Sequence, residues 1–82
     1  MSHDAMLTLL SNFRERLRKV REESGESQED LSEAMDTSQT MVSRYERGDS
    51  SPSLSYILKF CAHYKVSADY LLGIPESYGK NA

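Results

Sequence analysis

Gln39, Thr40, Ser43, Arg44 and Arg47 are the residues whose types and spacing suggest chemistry: positions three and four apart on a helix share a face, and these fall on one stripe. That chemistry is recognition rather than bond-making. A glutamine amide can pair with the edge of adenine, a guanidinium can grip O6 and N7 of guanine with two parallel hydrogen bonds, and a threonine methyl can meet that of thymine. The same spacing also describes an ordinary solvated helix face, and spacing alone does not separate the two. Bond-making finds no support. The sequence shows no paired carboxylates, no nucleophile beside a base and no phosphate-cradling glycine loop, so no catalytic residue is assigned and no enzyme is expected. His3 and His63 stand far apart and outside any Cys/His cluster of ligand spacing, so neither a metal nor a cofactor is expected. The single cysteine, Cys61, permits no intrachain disulfide and reads as a packing residue.

A helix carrying that stripe needs a start, a stop and a core to lean on. Ser38 can cap its first turn, and Gly48 can take the left-handed conformation that ends it, which predicts a helix from about 38 to 47 with Val42 and Tyr45 facing inward. Just upstream, Ser27-Gln-Glu-Asp30 forms an imperfect capping box, with aspartate where glutamate or glutamine is usual. It opens a second short helix that buries Leu31, Ala34 and Met35, and whose acids Glu29, Asp30 and Glu33 suit the positive end of the helix dipole. Leu7, Leu10, Phe13, Leu17 and Val20 recur at helical spacing and predict a first helix ending near Ser24-Gly25. Beyond the turn-rich Gly48-Asp-Ser-Ser51, the pair Ser51-Pro52 reads as a cap followed by proline at the first helical position. The helix that follows carries the stripe Leu54, Ile57, Leu58, Cys61 and Tyr64. Val66 closes the core, and Ser67 caps a last short helix through Leu72. No strand pattern or repeat is visible. The expectation is an all-α chain of five helices, with a domain at 11–73, an N-terminal extension at 1–10 that can continue the first helix, and a tail at 74–82.

The length, 82 residues, suits one domain with a small core. No apolar run approaches the roughly 20 residues that cross a bilayer. Met6-Leu-Thr-Leu-Leu10 is short and lacks the flanks of a signal peptide, so a cytoplasmic location without a membrane partner is expected. The net charge of −3 counts against nucleic-acid binding only if charge is spread evenly, and it is not. Glu26, Glu29, Asp30, Glu33 and Asp36 cluster without a base, whereas Arg44, Arg47, Lys59 and Lys65 outnumber Glu46 and Asp49 in the following stretch. Arg14, Arg16, Arg18 and Lys19, interleaved with Glu15, Glu22 and Glu23, read as a solvated face. His63 reads as a surface residue, and Tyr45, Tyr56, Tyr64 and Tyr70 as core or interface.

Two short helices joined by a tight turn, the second presenting small polar and basic side chains, have the layout of a helix-turn-helix, whose second helix fits a major groove about 12 Å wide. At this point the sequence resembles the Cro and phage-repressor type of helix-turn-helix regulators, the xenobiotic-response-element family. The resemblance rests on Arg18-Lys-Val-Arg-Glu-Glu23, Ser27-Gln28 with Leu31, Thr37-Ser38, Val42-Ser-Arg-Tyr-Glu-Arg-Gly48, Pro52-Ser-Leu54 and Val66-Ser-Ala-Asp-Tyr-Leu-Leu72, and spans about residues 13–73. Asp36 stands where the family usually has glycine in the turn, and Ser32 where it has alanine; aspartate tolerates the left-handed region and serine is small.

The resemblance implies a five-helix lambda-repressor-like DNA-binding domain and a sequence-specific transcription regulator, a repressor by expectation. Such a protein would act as a homodimer on an approximately palindromic operator in double-stranded DNA, at the nucleoid. Position by position, it implies that Gln39, Thr40, Ser43 and Arg44 face base edges, and that Gln28, Arg47, Ser51 and Ser53 contact phosphates. It further implies that Arg21 and Glu46 form a partly buried structural pair. A different class of function uses the same fold as a protein-interaction module, an antitoxin or adaptor with a toxin or anti-repressor as partner. The acidic second helix and the surplus apolar residues Met6, Leu7, Leu9 and Leu10 favour it. A dimer contact is another explanation of that surplus, and Tyr56, Leu58 and Phe60 form a second candidate dimer patch.

Overall fold

Serine starts every helix among the described residues. The computed structural model describes residues 2–74, in the order α1 (His3–Ser24), α2 (Gln28–Ala34), α3 (Gln39–Arg47), α4 (Leu54–Tyr64) and α5 (Ala68–Leu72), with no strand among the described residues. The expected tail beyond Ile74 lies outside them. Ser2, Ser27, Ser38, Ser53 and Ser67 each sit in extended backbone, and each hydroxyl accepts the amide three residues on, satisfying one of the free donors of the first turn. At Ser27 the box closes in both directions. Its hydroxyl accepts the Asp30 amide and the Asp30 carboxylate accepts the Ser27 amide, both at 3.0 Å; the Ser27 amide first, and then its side chain, hold the Asp30 carboxyl below the usual carboxylate range.

α1 crosses the back of the molecule and packs on α3, α4 and α5, while α2 and α3 pack on one another. Between them lies a core of Phe13, Leu17 and Val20 from α1, Leu31 and Met35 around α2, Val42 of α3, Tyr56 and Phe60 of α4, and Leu71 of α5. Burial of each large apolar side chain contributes about 1.5–3 kcal/mol. Phe60 is completely enclosed and meets Tyr64 edge-on at 4.7 Å between ring centres, and Tyr56 meets Tyr45 in the same way at 4.7 Å. Burial pushes the Tyr56 and Tyr64 phenols well above their ordinary range.

Several expectations change once the helices are packed. α1 begins at His3 and runs past the body it packs on, so Leu7 and Leu10 are about half exposed rather than buried. In α2 the buried small residue is Ser32, not Ala34, and the Ser32 hydroxyl satisfies itself by donating to the Glu29 carbonyl at 2.6 Å. The cap of α4 is Ser53 rather than Ser51, because the Ser53 hydroxyl takes the Tyr56 amide and moves the start two residues on. With that start, Tyr56 and Phe60 turn inward and belong to the core, which removes both from any dimer patch; Leu54 and Leu58 are left exposed. Arg14 and Arg16 are not simply solvated. Arg14 packs so closely on Gly48 that a Cβ there would overlap its guanidinium, and Arg16 donates to the Tyr70 carbonyl at 2.7 Å. Exposed pairing of the expected kind joins Arg18 to Glu22 and Lys19 to Glu23.

Candidate nucleic-acid interface

α2 ends in a turn that any candidate reading helix depends on. Asp36 adopts φ 54°, the Asp36 amide donates to the Glu33 carbonyl at 3.3 Å, and the Thr37 amide donates to Ser32 at 2.9 Å. This is a Schellman closure with aspartate in the left-handed position where glycine is usual. The reversal delivers Ser38 to its capping position and launches α3 across α2. Val42, 1% exposed, anchors α3 to the core, and Tyr45 is half-buried against Tyr56. Helical geometry then turns the opposite face out: Gln39, Thr40, Arg44 and Arg47 are exposed and Ser43 is half-buried beside them.

Two of these side chains are tied back to the link that follows α3. The Arg44 Nε donates to the Ser50 hydroxyl at 3.1 Å. The Arg47 Nε donates to the Asp49 carboxylate at 2.9 Å, and its Nη1 donates to the Ser43 hydroxyl. Ser51 is exposed within that link, and the Ser53 hydroxyl caps α4 while keeping its own hydrogen for a further acceptor.

Glu46, on the flank of α3, holds the frame together. Its carboxylate accepts the Arg21 Nε at 2.7 Å, the Arg21 Nη2 at 3.0 Å and the Gln28 Nε2 at 3.1 Å. Arg21 also donates from Nη1 to the Glu26 carbonyl at 3.0 Å. α1, the start of α2 and the end of α3 thus meet at one nearly buried carboxylate. The hydrogen bond to Glu46 outweighs burial and raises the Arg21 guanidinium above its ordinary range. Gln28 keeps one amide hydrogen that Glu46 does not use, and it sits at the first position of α2.

Asp49 and Ser50, the partners of the two arginines, were not singled out from the sequence. A signal existed: a left-handed glycine at 48 folds the next residues back against the last helical turn. His63, expected on the surface, is exposed there with its Nε2 2.8 Å from the Glu26 carboxylate, a link between α4 and the α1–α2 connection.

A family model described as helix-turn-helix matches residues 17–71, from the middle of α1 into α5. The HTH-type transcriptional regulator ImmR of Bacillus subtilis (strain 168) is 36% identical over 66 residues, which is 80% of this chain and 52% of that protein. The chain therefore spans about half the length of the curated relative it matches.

Proposed function

Because this chain belongs to the Cro and phage-repressor type family of helix-turn-helix transcription regulators, we propose that it binds operator DNA sequence-specifically with α3 in the major groove, and that it represses by occupying a promoter. The observation that carries this reading is the exposed polar face of α3 opposite buried Val42, on a helix locked to α1 and α2 through Glu46. In this proposal Gln39, Thr40, Ser43 and Arg44 read base edges. Gln28, Arg47, Ser51 and Ser53 hold the backbone on either side, helped by the free amides of the first turn of α4. Arg21 and Glu46 keep the frame and touch no DNA. Such a protein works in the cytoplasm, at the nucleoid.

Selecting binding sites from a random DNA pool tests the reading and supplies the operator. On the selected site Arg44→Ala is expected to lose about 1–3 kcal/mol of binding and to relax the preference at one base pair. Arg47→Ala is expected to weaken selected and random duplexes alike and to lower the salt slope by up to about one unit. Equal loss on both duplexes for Arg44→Ala would sink its assignment to a base.

The homodimer is part of the same proposal. A groove of about 810 Å³ runs beside the link after α3, lined by Met6, Leu7, Leu10, Pro52, Leu72 and Ile74 among others, with Met6, Leu7, Leu10 and Ile74 about half exposed. A second copy seated there about a two-fold axis would present two α3 helices to one side of the duplex, as a palindromic site with half-sites about 34 Å apart requires. Leu7→Glu is expected to leave the fold intact and shift sedimentation from dimer to monomer. An unchanged dimer would place the contact elsewhere. A protein partner, toxin or anti-repressor, is the second reading, favoured by Leu54 and Leu58, which stand 71% and 58% exposed on α4. Wild-type binding to duplexes without any sequence preference would move the conclusion to it.

A further inference from the structure

We propose that Asp49 is a built-in counter-ion for Arg47 and that it sets the strength and salt sensitivity of DNA binding. The proposal rests on the reading above, in which Arg47 meets a phosphate.

The position of Asp49 is fixed by the backbone rather than by the ion pair. Gly48 takes φ 80°, its amide donates to the Tyr45 carbonyl at 3.3 Å, and the Asp49 amide donates to the Arg44 carbonyl at 2.9 Å. That is a Schellman closure, with Asp49 pinned against the last turn of α3. Its carboxylate is consequently held where the Arg47 Nε can reach it, at 2.9 Å.

Nothing in the fold calls for an acid there. The C-terminal end of a helix carries partial negative charge, so a carboxylate beside it has the unfavourable sign. Among the described residues its hydrogen-bond partner is Arg47, and both side chains are more than half exposed. An exposed pair of this kind does little for stability. Its effect falls instead on the arginine it occupies. A phosphate approaching Arg47 meets a guanidinium that is already neutralised and a carboxylate that repels it. Either the carboxylate swings away, and binding loses the Arg47–Asp49 pair, or the phosphate is met by no net charge, and fewer counterions are released per bound protein. Base contacts made by the stripe of α3 are untouched, so the brake acts on selected and random DNA alike.

The test uses fluorescence anisotropy of the full chain on a duplex of random sequence, about 30 base pairs long, from about 50 to 200 mM salt. Asp49→Asn is expected to bind about three- to tenfold tighter at the lowest salt and to steepen the salt slope by up to about 0.9. In an Arg47→Ala background the same change should gain clearly less, because only the direct repulsion of the phosphate is then removed. Asp69→Asn on α5, an equal change of net charge, should give no comparable gain. Asp49→Asn binding like wild type, or gaining as much without Arg47 as with it, overturns the proposal. The two readings fail differently. If Arg47→Ala leaves the salt slope unchanged even when added to Asp49→Asn, Arg47 is no phosphate contact and the underlying assignment falls with the brake. If Arg47→Ala flattens the slope while Asp49→Asn does nothing, only the brake falls.

Discussion

Glu46→Ala is expected to cost about 3–5 kcal/mol of folding free energy, because it strands a nearly buried cation. The Glu46 side chain is 5% exposed and that of Arg21 11%, so neither is solvated by water once the other is gone. The variant leaves Arg21 with the Glu26 carbonyl as its remaining acceptor, and leaves the Gln28 amide without its carboxylate. At about 0.05–0.15 kcal/mol per residue, a domain of this size has stability of roughly 4–12 kcal/mol, so the loss removes a large share of it. Urea denaturation followed by helical circular dichroism should show the midpoint collapse. Replacing both partners with apolar residues, Arg21→Met with Glu46→Leu, should recover much of the loss, since a buried pair exchanged for packed hydrocarbon is often neutral. Changing pH should not rescue Glu46→Ala. In the wild type Arg21 has a folded value raised by Glu46, so its contribution is complete below the unfolded value and fades only as pH rises through the folded one; without Glu46 burial opposes the charge, but a guanidinium stays protonated across the working range. A Glu46→Ala protein with a wild-type midpoint that nevertheless fails to bind DNA would overturn the structural role and make Glu46 part of the binding surface itself.

The consequence for function is that loss of DNA binding in a Glu46 or Arg21 variant says nothing about a DNA contact unless the folded fraction is measured beside it. Arg44, Arg47 and Asp49 are different: their side chains are exposed and pinned only to near neighbours in α3 and the following link, so their variants report on binding with little effect on folding.

What could be read from the sequence follows the range of the interactions concerned. Serine caps and left-handed glycines act within four or five residues, and they gave the stop of α1, the start of α2 and both ends of α3 and α5 directly; the start of α1 at the Ser2 cap was not read. The start of α4 was misread because Ser51 and Ser53 are both competent caps; the choice is made by which start turns Tyr56 and Phe60 toward α1, a tertiary condition. The same condition leaves Leu54 and Leu58 outside, although their spacing suits a buried stripe. Ser32 displaced Ala34 from the interior because its hydroxyl bonds within its own turn and so behaves as a small neutral residue. In the candidate site, the outward stripe of α3 was visible because Val42 fixes the opposite face. Hidden were Asp49 behind Arg47, Ser50 behind Arg44 and Glu46 behind Gln28: the first two need the reversal at Gly48, and the third joins residues of two different helices.

Phe60→Ala should cost about as much as the loss of Glu46, by a different mechanism, and should reach the reading helix from behind. Emptying a fully enclosed phenylalanine site costs about 3–5 kcal/mol, through lost transfer energy and through the cavity that remains. The ring lies 4.7 Å from that of Tyr64 and 6.4 Å from that of Tyr56, and Tyr56 in turn props Tyr45 on the inner face of α3. A void at position 60 therefore removes the support on which Tyr56 and, through it, α3 rest. Phe60→Leu fills much of the same volume and should lose under about 1.5 kcal/mol. Thermal melts of the two variants should differ widely, and selected DNA should raise both midpoints by mass action, because only the folded form presents α3. If Phe60→Ala melted like wild type, the enclosed aromatic cluster would not be the base that α3 stands on. If it melted low but selected DNA failed to raise its midpoint, the cavity would have displaced α3 within the folded state as well as lowering its population.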